Sequence, residues 1–456
     1  MTTLELDTTK PAATTTRACR PGTLGAVSES TAAELAGVLT PEGFKLLNRL
    51  WRDGDYATID TLKLAERLRT EGYSPGVVNS VLTQLKLRTQ AEAKFGPFVD
   101  QMIFTDAGLQ QATSLQVAAH HARRFARAGV DEVVDLGAGL GADALAIAGL
   151  DIPVIAVEID ETTAAATTIN LMAFPHAKVE VADAMDWVDD HPADQHTTRG
   201  FWLDPARRKT RSQGTVRIFD PEAFSPPLSF VESLADAGHS VGVKLGPALA
   251  HNVIPANAEA QWVSLHGSVV EAVLWFNMVQ RSDVRRAALV ISASGAAELT
   301  SPTDFGTSPA VPVTGVEGAT GYLYEPDGSV IRAGLITDLM VEHFMEGDST
   351  DAAAGRQLDE HIAYFCSDAY VETPFATGYR ILEVYPYKIK TLRRYVKEHG
   401  VTRLDIKKRG VDVSPEELRR TLMQGQNSKK PASGKHLTLV LTRIGDERYA
   451  IVVQPI

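Results

Sequence analysis

The sequence predicts an α/β protein: a parallel sheet with antiparallel edge strands, preceded by a small helical unit and followed by a small α+β module. Two observations carry that prediction. Val133-Val134-Asp135-Leu136-Gly137-Ala138-Gly139-Leu140-Gly141 runs from β-branched residues through an acid into alternate glycines. From Ala142 onward the apolar spacing turns helical, which gives strand, tight loop and helix start. Further apolar runs that close on an acid recur at 154–160, 179–183 and 200–204, with helical text between them. Strands that alternate with helices in this way form βαβ units.

Taken in order, residues 1–25 are rich in Thr, Ala and Pro and are expected to be a disordered lead-in containing Cys19. A helical unit follows over 26–100. Apolar residues fall three and four apart at 31–36 and 41–51, and two further helices are predicted at 59–71 and 74–87, the second started by Ser74-Pro75. Leu50 and Trp51 are assigned to its core. The sheet domain is placed at 101–295, entered by a helix at 115–125 that Gln111, Thr113 and Ser114 precede. His120 and His121 are adjacent on that helix and have no acid or histidine four residues away, so they do not read as a metal pair. A fifth strand spans 240–245. The apolar runs at 261–265, 271–278 and 286–291 are separated only by turns, which leaves no room for crossover helices, so they are expected to be antiparallel. Residues 296–378 read as a connecting region, in which Tyr322-Leu323-Tyr324-Glu325-Pro326 leads through a turn to a helix at 329–334. The module at 379–456 is predicted as strand 379–384, helix 388–399, strand 401–406, helix 415–423, a polar loop with Lys429 and Lys430, and strands 437–444 and 448–453.

Composition narrows the class. The chain has 456 residues, 44% hydrophobic and 22% charged, ordinary for a globular protein of several units. No apolar run nears the ~18 residues of a membrane span, and no basic start leads into an apolar block, so a cytoplasmic protein without a membrane partner is expected. Cys19 and Cys366 are the two cysteines, too far apart in sequence to suggest a disulfide framework or a cysteine zinc site, and no metal is expected. Net charge is −12, yet residues 381–456 carry 16 Lys and Arg against 8 Asp and Glu, leaving 29 against 49 elsewhere. That basic tail on an acidic body is either a nucleic-acid surface or a set of solvated helix faces.

The chemistry concentrates around the glycine loop. Backbone without Cβ atoms at Gly137, Gly139 and Gly141 lets a ligand approach, and the helix start offers free N–H groups. Glu158, about 20 residues on, stands where a carboxylate can accept both ribose hydroxyls. Gly137-x-Gly139-x-x-Ala142 alone also fits a dinucleotide fingerprint. The whole series, with Asp183-Ala184 after the third strand and Asp204-Pro205 after the fourth, resembles the class I (Rossmann-like) S-adenosylmethionine-dependent methyltransferases. A nicotinamide enzyme would need neither Asp135 nor Asp183. The resemblance implies S-adenosylmethionine as cofactor, with Asp135 near its methionine moiety, Glu158 on the ribose, Asp183 and Ala184 at the adenine, and Asp204-Pro205 facing the methyl group. In that family the entering helix closes over the methionine end, which makes Gln111, Thr113 and Ser114 candidate contacts.

The order of pieces is more specific still. A Gln-Ala-Thr-Ser segment at 111–114, Asp-Pro-Ala-Arg-Arg at 204–208, Tyr-Leu-Tyr-Glu-Pro at 322–326 and a basic α+β module resemble a bacterial methyltransferase family with a THUMP-like C-terminal domain. That family is distantly similar to trimethylguanosine synthases, and the resemblance covers about residues 95–456. It implies a structured RNA substrate. Arg207, Arg208, Lys209 and Arg211 beside the presumed site suit phosphate contacts, with internal pairing of Arg207 the alternative, and Lys407, Lys408 and Arg409 would form a second contact point. Nucleic-acid amine methyltransferases usually follow their Asp-Pro with a second proline and an aromatic residue. Ala206 and Arg207 stand there instead. Methylation of carbon through a thiolate is excluded, because no cysteine lies near Lys244-Leu245-Gly246-Pro247. The expected activity is methyl transfer to an RNA base nitrogen. The alternatives are a small-molecule or protein acceptor, or an RNA-binding module that keeps the cofactor site without transfer.

Overall fold

The computed structural model describes residues 29–54, 56, 59–192, 198–206, 208–211, 214–217, 220–345, 355–424 and 435–456. The expected lead-in at 1–25 and the loop holding Lys429 and Lys430 lie outside them. Four helices open the chain: α1 (Glu29–Ala36), α2 (Pro41–Asp53), α3 (Thr61–Thr70) and α4 (Pro75–Phe95). Thr40, Asp60 and Ser74 cap α2, α3 and α4 by accepting from backbone N–H groups in the first turn. Leu46, Leu47 and Leu50 of α2 pack with Leu64, Leu68, Val78, Val81 and Leu85. Helix α4 runs a further two turns past residue 87, because its stop is Gly96 at φ +54. The middle of α4 carries buried polar side chains. Gln84 exchanges two hydrogen bonds with the Phe104 backbone at 2.6 and 2.9 Å, and Arg88 Nε donates to Met102 O at 3.0 Å. The segment leading into the sheet domain is thereby zipped onto the helical unit.

Helices α5 (Asp106–Gln111) and α6 (Leu115–Ala128) enter the sheet domain. It continues as β1 (Glu132–Leu136), α7 (Ala142–Ala148), β2 (Val154–Glu158), α8 (Glu161–Asn170), β3 (Ala177–Val181), α9 (Ala184–Asp190) and β4 (Arg199–Leu203). A hairpin, β5 (Arg208–Arg211) and β6 (Gly214–Arg217), projects next. Then come α10 (Leu228–Asp236), β7 (Ser240–Leu245), β8 (Glu259–Leu265), β9 (Ser268–Phe276), β10 (Arg286–Ser292) and β11 (Gly295–Ser301). The nine-stranded sheet has the order β11-β10-β8-β9-β7-β4-β1-β2-β3. Strands β3, β2, β1, β4 and β7 are parallel, and β9 is antiparallel to both β7 and β8.

One expectation about the far edge fails. Strand β10 lies parallel to β8, with Arg286 opposite Ala260. The reason is geometric: β9 ends beside the start of β8, so a short loop across that end delivers β10 in the direction of β8 without a helix. Strand β11 then turns back against β10 and closes the edge.

The connecting region contributes strands of its own. Elements β12 (Tyr322–Pro326), α11 (Gly328–Arg332), α12 (Ile336–Met340), β13 (Arg356–Gln357) and β14 (Phe365–Ser367) precede β15 (Ala376–Pro386), α13 (Ile389–Glu398), β16 (Val401–Arg409), α14 (Pro415–Met423), β17 (Lys435–Ile444) and β18 (Glu447–Pro455). They build a second sheet, ordered β13-β14-β12-β15-β18-β17-β16. Helices α13 and α14 cover its β16–β17–β18 end through Leu392, Val396, Leu418 and Leu422. The two sheets meet around α11. Ser264 Oγ donates to Asp327 Oδ2 at 2.9 Å, and the buried guanidinium of Arg286 donates to Gly334 O at 2.6 Å.

Candidate active site

The C-terminal ends of β1, β2, β3, β4 and β7 open onto a cleft of about 830 Å³. This is where an open α/β sheet binds ligands, since loops diverge there and helix N-termini point in. Asp135, Gly137, Gly139, Glu158, Asp183, Ala184, Asp204 and Pro205 all line it, with Gln111, Thr113 and Ser114 on the opposite wall. Gly141 does not. It caps α7 at φ +78, and a Cβ there would lie 2.8 Å from Thr167 Cγ2, so its role is close packing of loop on helix.

Each acid is held differently. Both Glu158 oxygens accept backbone bonds, from Gly139 N at 2.9 Å and from Asp160 N at 3.0 Å, and burial raises its pKa despite those bonds. Asp183 caps α9 through Met185 N and Asp186 N. Asp135 is fully buried, and its Oδ2 has no partner. Burial, reinforced by Asp143 and Asp204, raises its pKa well above the carboxylate range and favours the neutral acid.

Asp204 is tied into a buried polar network that the sequence did not announce. Lys244 Nζ, from β7, donates to Asp204 Oδ2 at 2.6 Å and to Thr113 Oγ1 at 2.9 Å. Thr113 donates onward to Asp143 Oδ2 at 2.9 Å. Asp143 Oδ1 lies 2.8 Å from His121 Nδ1, and Glu271 Oε1 lies 2.7 Å from His121 Nε2. The imidazole also stacks on Trp202 with ring centroids 4.2 Å apart. Burial opposes a charged ring, but Glu271 and Asp143 outweigh it and raise His121 to about 9. Burial likewise opposes the Lys244 ammonium, and Asp204, Glu271 and Asp143 together raise its pKa. Asp143, Lys244 and Glu271 were missed, and the signal was present: a lone charge in an apolar strand or helix start is expensive to bury unless partnered. His121, dismissed as a metal ligand, is sandwiched by acids from distant elements. Among the described residues no group of His, Cys, Asp and Glu converges to hold a metal ion.

The predicted cationic contacts are dispersed. Arg207 lies outside the described residues, as do the side chains of Arg208, Lys209 and Arg211, whose backbone forms β5. That hairpin is rooted at the cleft rim by paired backbone bonds between Ala206 and Ser225. Lys407 and Arg409 share one face of β16 and both pair with Glu325 of β12, while Lys408 on the other face is exposed. More accessible cations sit on and just before α13: Lys388, Lys390, Arg393, Arg394 and Lys397.

A comparison with known sequences now adds to this geometry. A relative from two strains of Mycobacterium tuberculosis, described as an uncharacterized S-adenosylmethionine-dependent methyltransferase, is 30% identical over 390 residues, which is 83% of this chain and 95% of the relative. The chain belongs to the S-adenosylmethionine-dependent methyltransferases. A THUMP domain-like family matches residues 376–455, and a domain of unknown function matches 31–91. A solved protein from Porphyromonas gingivalis, described as a methyltransferase, shares the fold at 21% identity and a TM-score of 0.63, over 84% of this chain and 92% of its own.

The methyltransferase cleft fits its cofactor on its own chemistry. A Cβ at Gly139 would meet nothing within 4 Å, so the loop leaves an open cradle. Asp135, which lines the cleft, has a buried oxygen without a partner, Oδ2, and both Glu158 oxygens keep lone pairs beyond those given to Gly139 N and Asp160 N, as a ribose would need.

Proposed function

We propose that this methyltransferase acts in the cytoplasm on RNA, with a base nitrogen as the acceptor. The observation that carries the reading is the pairing, in one chain, of a cofactor cleft whose mouth presents Asp204-Pro205 with a THUMP-like module bearing exposed cations along α13. A row of cations on one helix face suits a polyanion, which it would position without reading sequence.

The bound cofactor supplies an electrophilic methyl group on a sulfonium. Glu158 and Asp183 orient the nucleoside, and Asp135 and Thr113 border its amino-acid end. Asp204 accepts a hydrogen bond from the entering amine and so directs the nitrogen lone pair along the line of displacement. Lys244 fixes that carboxylate from behind. Ala206 and Arg207 replace the proline and aromatic residue of related amine sites, so the acceptor base is held by other surfaces; Pro205, Ser225, Pro226 and Val270 border the same space.

The test is nucleoside mass spectrometry of total RNA from cells with and without the gene, together with transfer of labelled methyl to RNA from the deficient cells. One modified nucleoside should vanish and be restored in vitro. Turnover on metabolite or protein extracts with none on RNA would defeat the reading and favour a small-molecule or protein acceptor.

A further inference from the structure

Two cations line the cleft among the described residues, Lys94 and Lys244. They are in different situations. Lys244 is committed to Asp204 and Thr113. Lys94, near the end of α4, is half-buried and has no carboxylate partner among the described residues. Its ammonium donates to carbonyls at the end of α5: Leu109 O at 2.7 Å, Ala112 O at 2.9 Å and, weakly, Gln110 O at 3.3 Å. Burial and the nearby positive charge of Lys244 both lower its pKa, so its charge is held at a cost that carbonyl dipoles offset and no opposite charge does among the described residues. Two residues beyond Ala112, Ser114 also lines the cleft, and its Oγ is buried without a hydrogen-bond partner. An ammonium that faces carbonyls but no opposite charge among the described residues, and an orphaned hydroxyl, both on residues lining one cleft, suit a small anion.

With S-adenosylmethionine as the donor, one anionic group enters this cleft: the α-carboxylate of its methionine moiety. We infer that Lys94 and Ser114 hold this carboxylate, so that the N-terminal helical unit supplies part of the cofactor site. Thr113, Asp143 and Lys244, next to these two residues, mark the methionine end, while Glu158, Asp183 and Met185 mark the nucleoside end. Redirecting the long bond to Gln110 O is enough to free one Lys94 N–H. The carboxylate then takes the place of a counter-ion that the chain does not provide.

The test is calorimetric and needs no substrate. S-adenosylhomocysteine carries the carboxylate; 5′-methylthioadenosine keeps the adenosine and the thioether but lacks it. In the full chain, Lys94→Met should weaken S-adenosylhomocysteine by about ten- to hundredfold, the usual size of a lost charge-assisted hydrogen bond, and leave 5′-methylthioadenosine within about twofold. Lys94→Arg should recover most of the loss, and Ser114→Ala should show the same ligand dependence with a smaller effect. If both ligands weaken together in Lys94→Met and in Lys94→Arg, Lys94 only caps α5 and the inference falls. No change with either ligand would overturn it as well. If the unaltered protein bound neither ligand, the donor assignment itself would fail, an outcome distinct from both.

Discussion

Replacing Asp204 by Asn keeps an oxygen that can accept from an amine but removes the charge that Lys244 faces across 2.6 Å. Turnover should therefore fall by about 100-fold, the scale of a lost positioning or proton-accepting group, while S-adenosylhomocysteine affinity measured by calorimetry changes little. Glu158→Ala should do the reverse: donor affinity drops by about tenfold or more, because the ribose partner goes and Gly139 N loses its acceptor. His121 gives a pH prediction. It titrates near 6.5 when unfolded and about 9 when folded, so its contribution to stability is complete below 6.5 and is lost as pH rises through about 9. Thermal midpoints should fall across that window, and His121→Phe, which keeps the contact with Trp202, should flatten the slope. The acids at the ends of β1 to β4 were legible in the sequence because each closes an apolar strand. The network behind Asp204 was not, because Lys244 lies 40 residues from it, and further in His121 lies 22 residues from Asp143 and 150 from Glu271, so only the fold brings them together.

Helix α7 depends on the backbone at Gly141. A side chain there would be strained at φ +78 and would press on Thr167, so Gly141→Ala should cost about 1–3 kcal/mol, readable as a lower midpoint in thermal or denaturant unfolding. Periodicity and turn residues located most elements to within a few positions, since a helix start such as Ser74-Pro75 is a local signal. Strand direction is not local. The parallel seating of β10 on β8 follows from where β9 ends, which no window of sequence contains. The same limit explains β16: Lys407 and Arg409 look like a cationic patch until Glu325, 82 and 84 residues earlier, is seen beside them. Helix α13 is a better candidate for contact with a polyanion. Charge reversal of Arg393 and Arg394 together should weaken retention of RNA, whereas reversal of Lys407 should mainly lower stability by setting a like charge against Glu325, which then keeps only the longer contact with Arg409 among the described residues.

At the scale of the molecule, an acidic body carries a basic end, 16 cations to 8 acids over residues 381–456. Retention of RNA should accordingly decline steeply with added salt, and the slope of log affinity against log salt should shrink by about one for each α13 cation removed that meets a phosphate. Binding of S-adenosylhomocysteine measured in parallel should be much less affected. The join between the two sheets adds a mechanical consequence. Gly328 opens α11 so close to β9 that a Cβ would lie 2.5 Å from Val269 Cγ2, and the next two residues, Val270 and Glu271, form part of the cleft wall. There is no slack at that seam. If RNA seats on the THUMP-like module, this contact offers a direct route to the cleft wall, and hydrogen exchange at 268–272 is expected to slow when an RNA fragment is added without the methyl donor.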